Sequence, residues 1–269
     1  MGNNRITIFT CLKILTLLAI TSLVSIFICV VIAEIFKLNT LDFLSPDISE
    51  IISVICVLIY LSKKFDITLN SLLNLKEFNL KTLILILLMF FSSYIVINLI
   101  TANIIKITSI IQIVPEHNDG LSQISNLALL FFFVRLMIIG PIIEEIFFRG
   151  IFLLKLNDNC NTIVALTLST FLFAIFHSPG YGQISAFITG LLLSIITLKT
   201  NGIFYSIIGH ILFNSLTTIF GVISNANNNI VKLANGSFYF NNVINIISIA
   251  IFITTFFIIF KVPLDKVKS

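Results

Sequence analysis

Two adjacent carboxylates, Glu144 and Glu145, stand inside an apolar run. It reads Phe133-Val134-Arg135-Leu136-Met137-Ile138-Ile139-Gly140-Pro141-Ile142-Ile143-Glu144-Glu145-Ile146-Phe147-Phe148-Arg149-Gly150 and continues apolar to Leu156. On a helix, residues four apart share a face, so Glu145 and Arg149 can pair and keep each other charged. Glu144 then points about 100° away from Glu145, free to face a cavity rather than the arginine. A lone carboxylate in a low-dielectric cleft is poised to take a proton from water, as a general base must. The opposing possibility is a helix that ends at Ile143, with the charges marking its exit to water. Ile146, Phe147, Phe148, Ile151, Phe152, Leu153 and Leu154 speak against it, because they prolong the apolar run.

The chain has three histidines, and two of them, His177 and His210, fall within apolar segments, while His117 lies in a polar stretch. Asn214 follows His210 by one helical turn, so the two side chains share a face. Depths can be counted at 1.5 Å per residue from the expected cytoplasmic end of each span. Glu144 then sits roughly 18 Å in, His177 about 21 Å, His210 about 11 Å and Asn214 about 17 Å. Four polar groups from three spans can therefore meet near mid-membrane, where each alone would only cost stability.

These motifs together resemble the CAAX-prenyl-protease and bacteriocin-processing family (CPBP, also called Abi). Its EExxxR signature is matched by Glu144-Glu145 and Arg149, its FxxxH by Phe173 and His177, and its HxxxN by His210 and Asn214. The likeness covers about residues 83–223, expected to be the catalytic core within a single membrane domain, 1–269. The resemblance implies intramembrane peptide-bond hydrolysis: Glu144 as general base, His177 holding and orienting the water, His210 and Asn214 on the oxyanion, and Glu145 with Arg149 as structural support. Amide hydrolysis needs both a deprotonated water and donors aimed at the developing charge, so the roles are chemically sound. No cofactor is required if glutamate and histidine activate the water directly. The alternative is a divalent metal such as zinc on Glu144, His177 and His210. The HExxH spacing that places two histidine ligands on one helix is missing. Substrates of the implied class are peptides and prenylated or membrane-bound proteins.

The elements that must position these residues follow from composition. With 58% hydrophobic and 10% charged residues among 269, and a mean hydropathy of +1.11, the chain cannot coat a water-soluble globule. In hydrocarbon every backbone polar group needs an internal partner, and long aliphatic runs meet that need as helices. The expected fold is an all-α polytopic membrane protein of about eight transmembrane helices in contact with membrane lipids. The expected spans are Leu12–Ile35, Ile48–Ser62, Leu83–Ile105, Leu127–Leu156, Ile163–Phe176, Ile184–Leu198, Ile203–Ile223 and Val243–Phe260. The first is longer than a signal-peptide core and is expected to be retained. Phe65–Leu80 is either an interfacial helix or a loop, and Asn225–Asn242 is an extramembrane loop containing the weak glycosylation triplet Asn235-Gly236-Ser237. Phe187, Gly190 and Ser194 either line the cavity or let helices pack closely.

The formal net charge of +4 comes from lysines at segment ends, which suits anionic headgroups and leaves no nucleic-acid site. Threading the spans puts Arg5, Lys13, Lys63, Lys64, Lys76, Lys81, Lys155, Lys199, Lys261, Lys266 and Lys268 on one side and only Lys37, Lys106 and Lys232 on the other. Both termini are therefore expected in the cytoplasm of a cell (plasma) membrane protein. Arg135 and Arg149 remain inside the fourth span, where a charge calls for a partner. Cys11, Cys29, Cys56 and Cys160 form no CxxC pair and are expected to be small core residues. Two rival functions stand beside the peptidase. One is a non-catalytic membrane scaffold or bacteriocin self-immunity protein of the same fold; the other is a transporter, for which no inverted repeat is visible.

Overall fold

The computed structural model describes residues 5–37, 45–75, 78–108, 126–226 and 240–261, and within them the chain is helical with no strand. In order come α1 (Ile8–Ile35), α2 (Ser45–Phe65), α3 (Leu69–Leu73) and α4 (Leu80–Thr108). A continuous rod follows, built of α5 (Asn126–Val134), π1 (Arg135–Ile139), α6 (Gly140–Glu144) and π2 (Glu145–Lys155). After it come α7 (Thr162–Ile175), α8 (Tyr181–Thr200), α9 (Phe204–Ala226) and α10 (Asn242–Lys261).

The protein is an all-α membrane protein. Five helices among the described residues, α1, α4, α8, α9 and α10, are long and apolar enough to cross a bilayer. The three others expected as spans do not meet that measure. At 14 residues, α7 is about 21 Å long against a hydrocarbon core of about 30 Å. The rod carries four charged side chains between Arg135 and Arg149, and α2 ends in Lys63 and Lys64. His117, Lys232 and the Asn235-Gly236-Ser237 triplet lie outside the described residues.

Most of the α1 and α10 surface consists of exposed aliphatic and aromatic side chains, as a lipid-facing helix requires. The core divides in two. One cluster joins α1, α2 and α3 to the rod and α7 through Ile14, Val57, Leu61, Leu72, Ile151, Phe152 and Phe173. The other joins α4, α8, α9 and α10 through Phe90, Tyr94, Leu193, Phe213 and Ile259. The rod contributes only to the first cluster, while α8 and α9 contribute to both.

Within the stretch Phe65–Leu80 the described residues include the short helix α3, and residues 76–77 lie outside the described residues. Thr68 and Ser71 form a reciprocal capping box at the start of α3. Asn74 ends it in the left-handed region at φ 49° and donates to the Asn201 carbonyl at 3.1 Å. The Leu72 carbonyl accepts from the Ile203 amide at 2.9 Å, so α3 is clasped to the α8–α9 turn. Cysteine placement departs from expectation at one position: Cys11 and Cys29 are buried, but Cys56 is exposed on α2.

Candidate active site

The rod owes its shape to Gly140-Pro141. Proline has no amide hydrogen and its ring crowds the carbonyl four residues back, so the α pattern fails there. The Gly140 amide donates to the Arg135 carbonyl, an i→i+5 bond that closes π1. Such widened turns leave carbonyls poorly matched within the helix, and two are served from outside. The Asn214 amide donates to the Leu136 carbonyl at 3.2 Å, and the Ser169 hydroxyl donates to the Phe148 carbonyl at 2.6 Å. Sites of π winding recur at functional positions.

The rod does not stop at Ile143: Glu145 through Leu153 are all buried in π2. Arg149 Nη1 donates to Glu145 Oε1 at 2.8 Å, with both side chains fully buried. A second guanidinium nitrogen, Nη2, donates to the Gly190 carbonyl at 3.1 Å, and the Arg149 guanidinium lies 4.1 Å above the Phe173 ring. Gly190 makes that approach feasible, because a Cβ there would lie 2.9 Å from Phe173 Cδ1 and 3.3 Å from Arg149 Nη2. The role of Gly190 is thus close packing against the ion pair. Ser194 pairs with Thr170 at 3.3 Å and Phe187 is exposed, so none of the three lines the cavity described below.

His210 sits between the two glutamates. Its Nδ1 is 2.9 Å from Glu145 Oε1, and its Nε2 is 3.7 Å from Glu144 Oε2. A carboxylate accepts, so Nδ1 carries the proton and Nε2 is a donor only in the imidazolium. His177 lies two residues past the end of α7, its Nδ1 donating to the Phe173 carbonyl at 2.7 Å. That bond assigns the proton of the neutral ring to Nδ1 and leaves Nε2 as an acceptor.

Glu144 and His177 open on one cavity of about 480 Å³, lined mostly by apolar side chains of α1, α2, the rod and the end of α7. Its polar lining is Ser22, Ser53, Arg135, Glu144 and His177. The Glu144 side chain is 33% exposed, yet its Oε2 is buried without a hydrogen-bond partner in the protein. His210 reaches Glu144 from behind and is not among the lining residues, nor is Asn214. The four residues expected at one depth are therefore arranged in two layers, with Glu144 shared between them. Glu144, His177 and His210 are not gathered into a ligand set: among the described residues no three His, Cys, Asp or Glu side chains cluster closely enough to hold a metal ion.

A family model described as type II CAAX prenyl endopeptidase Rce1-like matches residues 126–216. This region is similar to that family. It contains the rod, α7, α8 and the first half of α9, and with them Glu144, Glu145, Arg149, His177, His210 and Asn214. The family is one of CAAX-protease-type endopeptidases, and α1, α2, α4 and α10 lie outside the match. No curated protein and no solved structure matches the chain. The Rce1-like region also holds features that no motif announced. Arg135 enters the cavity lining, and Ser169 braces π2. Tyr181 donates to the buried Asn98 of α4 at 2.7 Å, four residues beyond His177. Gly140-Pro141 was the one local signal that could have flagged the altered winding.

Proposed function

We propose that the protein is an intramembrane endopeptidase that hydrolyses a peptide bond with water activated by Glu144 and His177. The observation that carries this reading is the shared cavity: a carboxylate that is one-third exposed and a histidine whose Nδ1 is already engaged open on it together. A water there can give one hydrogen bond to the Glu144 carboxylate and one to His177 Nε2, which presents its oxygen lone pair to a scissile carbonyl. Glu144 takes the proton as the C–O bond forms. It returns that proton to the leaving amine as the C–N bond breaks, so the carboxylate is regenerated. His210 as imidazolium, supported through Nδ1 by the Glu145–Arg149 pair, donates from Nε2 to the oxyanion beside Glu144, and Asn214 has a second amide hydrogen for the same charge.

No metal is needed in this scheme. The family description and the apolar cavity walls favour prenylated or membrane-bound peptide substrates. The non-catalytic scaffold or immunity reading has no observation of its own. Glu144→Gln keeps size and hydrogen bonding but not basicity, so the purified variant should be folded and nearly inactive on a farnesylated peptide ending in a CAAX sequence. Wild-type protein stripped by a strong chelator should keep full activity. Full activity of Glu144→Gln would sink the proposal, and loss on chelation with a stoichiometric ion in the untreated protein would move the mechanism to the metal.

A further inference from the structure

His177 stands past the end of α7, in the turn that leads to α8. Its amide donates to the Ala174 carbonyl at 3.1 Å, and its Nδ1 donates to the Phe173 carbonyl at 2.7 Å. Both bonds reach back to α7, so the forward side of the turn must be fixed by something else. That is α8. The Ser178 carbonyl, next to His177, accepts from the Gln183 amide at 2.9 Å, and the Gly180 carbonyl accepts from the Ile184 amide at 3.1 Å. The turn therefore moves with the first residues of α8. Those residues are pinned sideways in their turn, because the Tyr181 hydroxyl donates to Asn98 Oδ1 of α4 at 2.7 Å.

Asn98 is fully buried in an apolar helix, where an amide is tolerated only when its polar atoms are bonded. Its Nδ2 donates to the Tyr94 carbonyl at 2.8 Å. A carbonyl can only accept, so this bond assigns the amide and leaves Oδ1 to receive the tyrosine. Neither Asn98 nor Tyr181 lines the cavity. We propose that Asn98 and Tyr181 are positioning residues for His177, holding the α7–α8 turn so that the imidazole keeps its place in the cavity wall it shares with Glu144. This rests on the peptidase reading and extends its machinery to α4, which lies outside the matched residues 126–216. A reacting group displaced by about 1 Å can cost about 10²-fold in rate. Substrate binding is kept, since no cavity contact is lost.

The test removes the hydroxyl alone. Tyr181→Phe, assayed in detergent micelles on a farnesylated peptide ending in a CAAX sequence, should lose about 10- to 100-fold in kcat at unchanged KM. The same change made in His177→Gln protein should cost nothing further, because residues that act as one unit are not additive. Asn98→Leu combined with Tyr181→Phe removes both partners and strands neither, so it should melt near the wild type and keep the kcat deficit. Unchanged kcat in Tyr181→Phe, a loss carried by KM, or an equal loss in the two backgrounds overturns the anchor. Nitrogen NMR of histidine-labelled protein gives a readout without turnover, the His177 signals being identified by their loss in His177→Gln. The neutral ring should show distinct Nδ1–H and Nε2 signals in wild type, and Tyr181→Phe should shift or average them. Signals unchanged in Tyr181→Phe also overturn the anchor. If wild-type protein does not cleave the peptide, the peptidase reading falls and these signals alone decide the anchor.

Discussion

At the scale of single residues, the site is a chain of charges passed from a fully buried arginine to a half-open carboxylate. Arg149 holds Glu145, Glu145 holds His210, and His210 faces Glu144. Arg149→Ala would strand Glu145 in a low-dielectric interior at a cost of about 3–5 kcal/mol. The variant should accumulate poorly and unfold earlier in a thermal melt in detergent. Wild-type melting of Arg149→Ala would mean the pair does not support the fold. Asn214→Ala separates two roles. As an oxyanion donor its loss lowers kcat by about 10²–10³, whereas as the partner of the Leu136 carbonyl alone its loss lowers stability and leaves kcat. The expected result is a kcat deficit in protein that still melts near the wild type. The pairing of Glu145 with Arg149 and the outward turn of Glu144 were readable from spacing, because both follow from helical periodicity. His210 facing Glu144 from behind was not, since it depends on the azimuth of α9 against the rod.

At the scale of elements, the site exists because helices approach closely where side chains are small. Gly209 precedes His210 and packs against Phe90 of α4, and a Cβ there would lie 2.4 Å from Phe90 Cε2 and 2.5 Å from Cδ2. Phe90 is fully buried, so it has no free space to yield. Gly209→Ala should therefore force α9 away from α4, with an overpacking cost of about 1–3 kcal/mol. His210 would be carried off Glu144 and Glu145 by the same movement. Adding Phe90→Leu should restore both the melting temperature and activity, and a Gly209→Ala variant indistinguishable from wild type would contradict the packing argument. The helical segments themselves were legible, since α1, α4, α8, α9 and α10 follow from long aliphatic runs. The π winding was not. Periodicity assumes 3.6 residues per turn, and the extra width of π1 and π2 is held by contacts from other helices, Asn214 to Leu136 and Ser169 to Phe148.

At the scale of the whole molecule, the open question is how helices of unequal length share one bilayer. The five long helices can span unaided. The rod and α7 instead bury their polar groups against one another: Ser169 of α7 bonds the rod, and Arg149 of the rod lies over Phe173 of α7. A helix too short for the hydrocarbon is tolerated where neighbours cover its ends or the bilayer thins locally. On that basis we propose that α2, the rod and α7 cross as well, which predicts eight spans and both termini on one side. The lysine and arginine asymmetry then predicts an orientation, with the helix ends carrying Lys63, Lys64, Lys81, Lys155 and Lys199 on the cytoplasmic side. A reporter fused after Ser269 should accordingly be cytoplasmic, and one inserted at Asn229 should lie on the opposite face. Both reporters on one side would remove a span between them and break the count. Opposite sides with the carboxyl terminus outside would keep the eight helices and invert the orientation, moving the Lys155 end of the rod out of the cytoplasm.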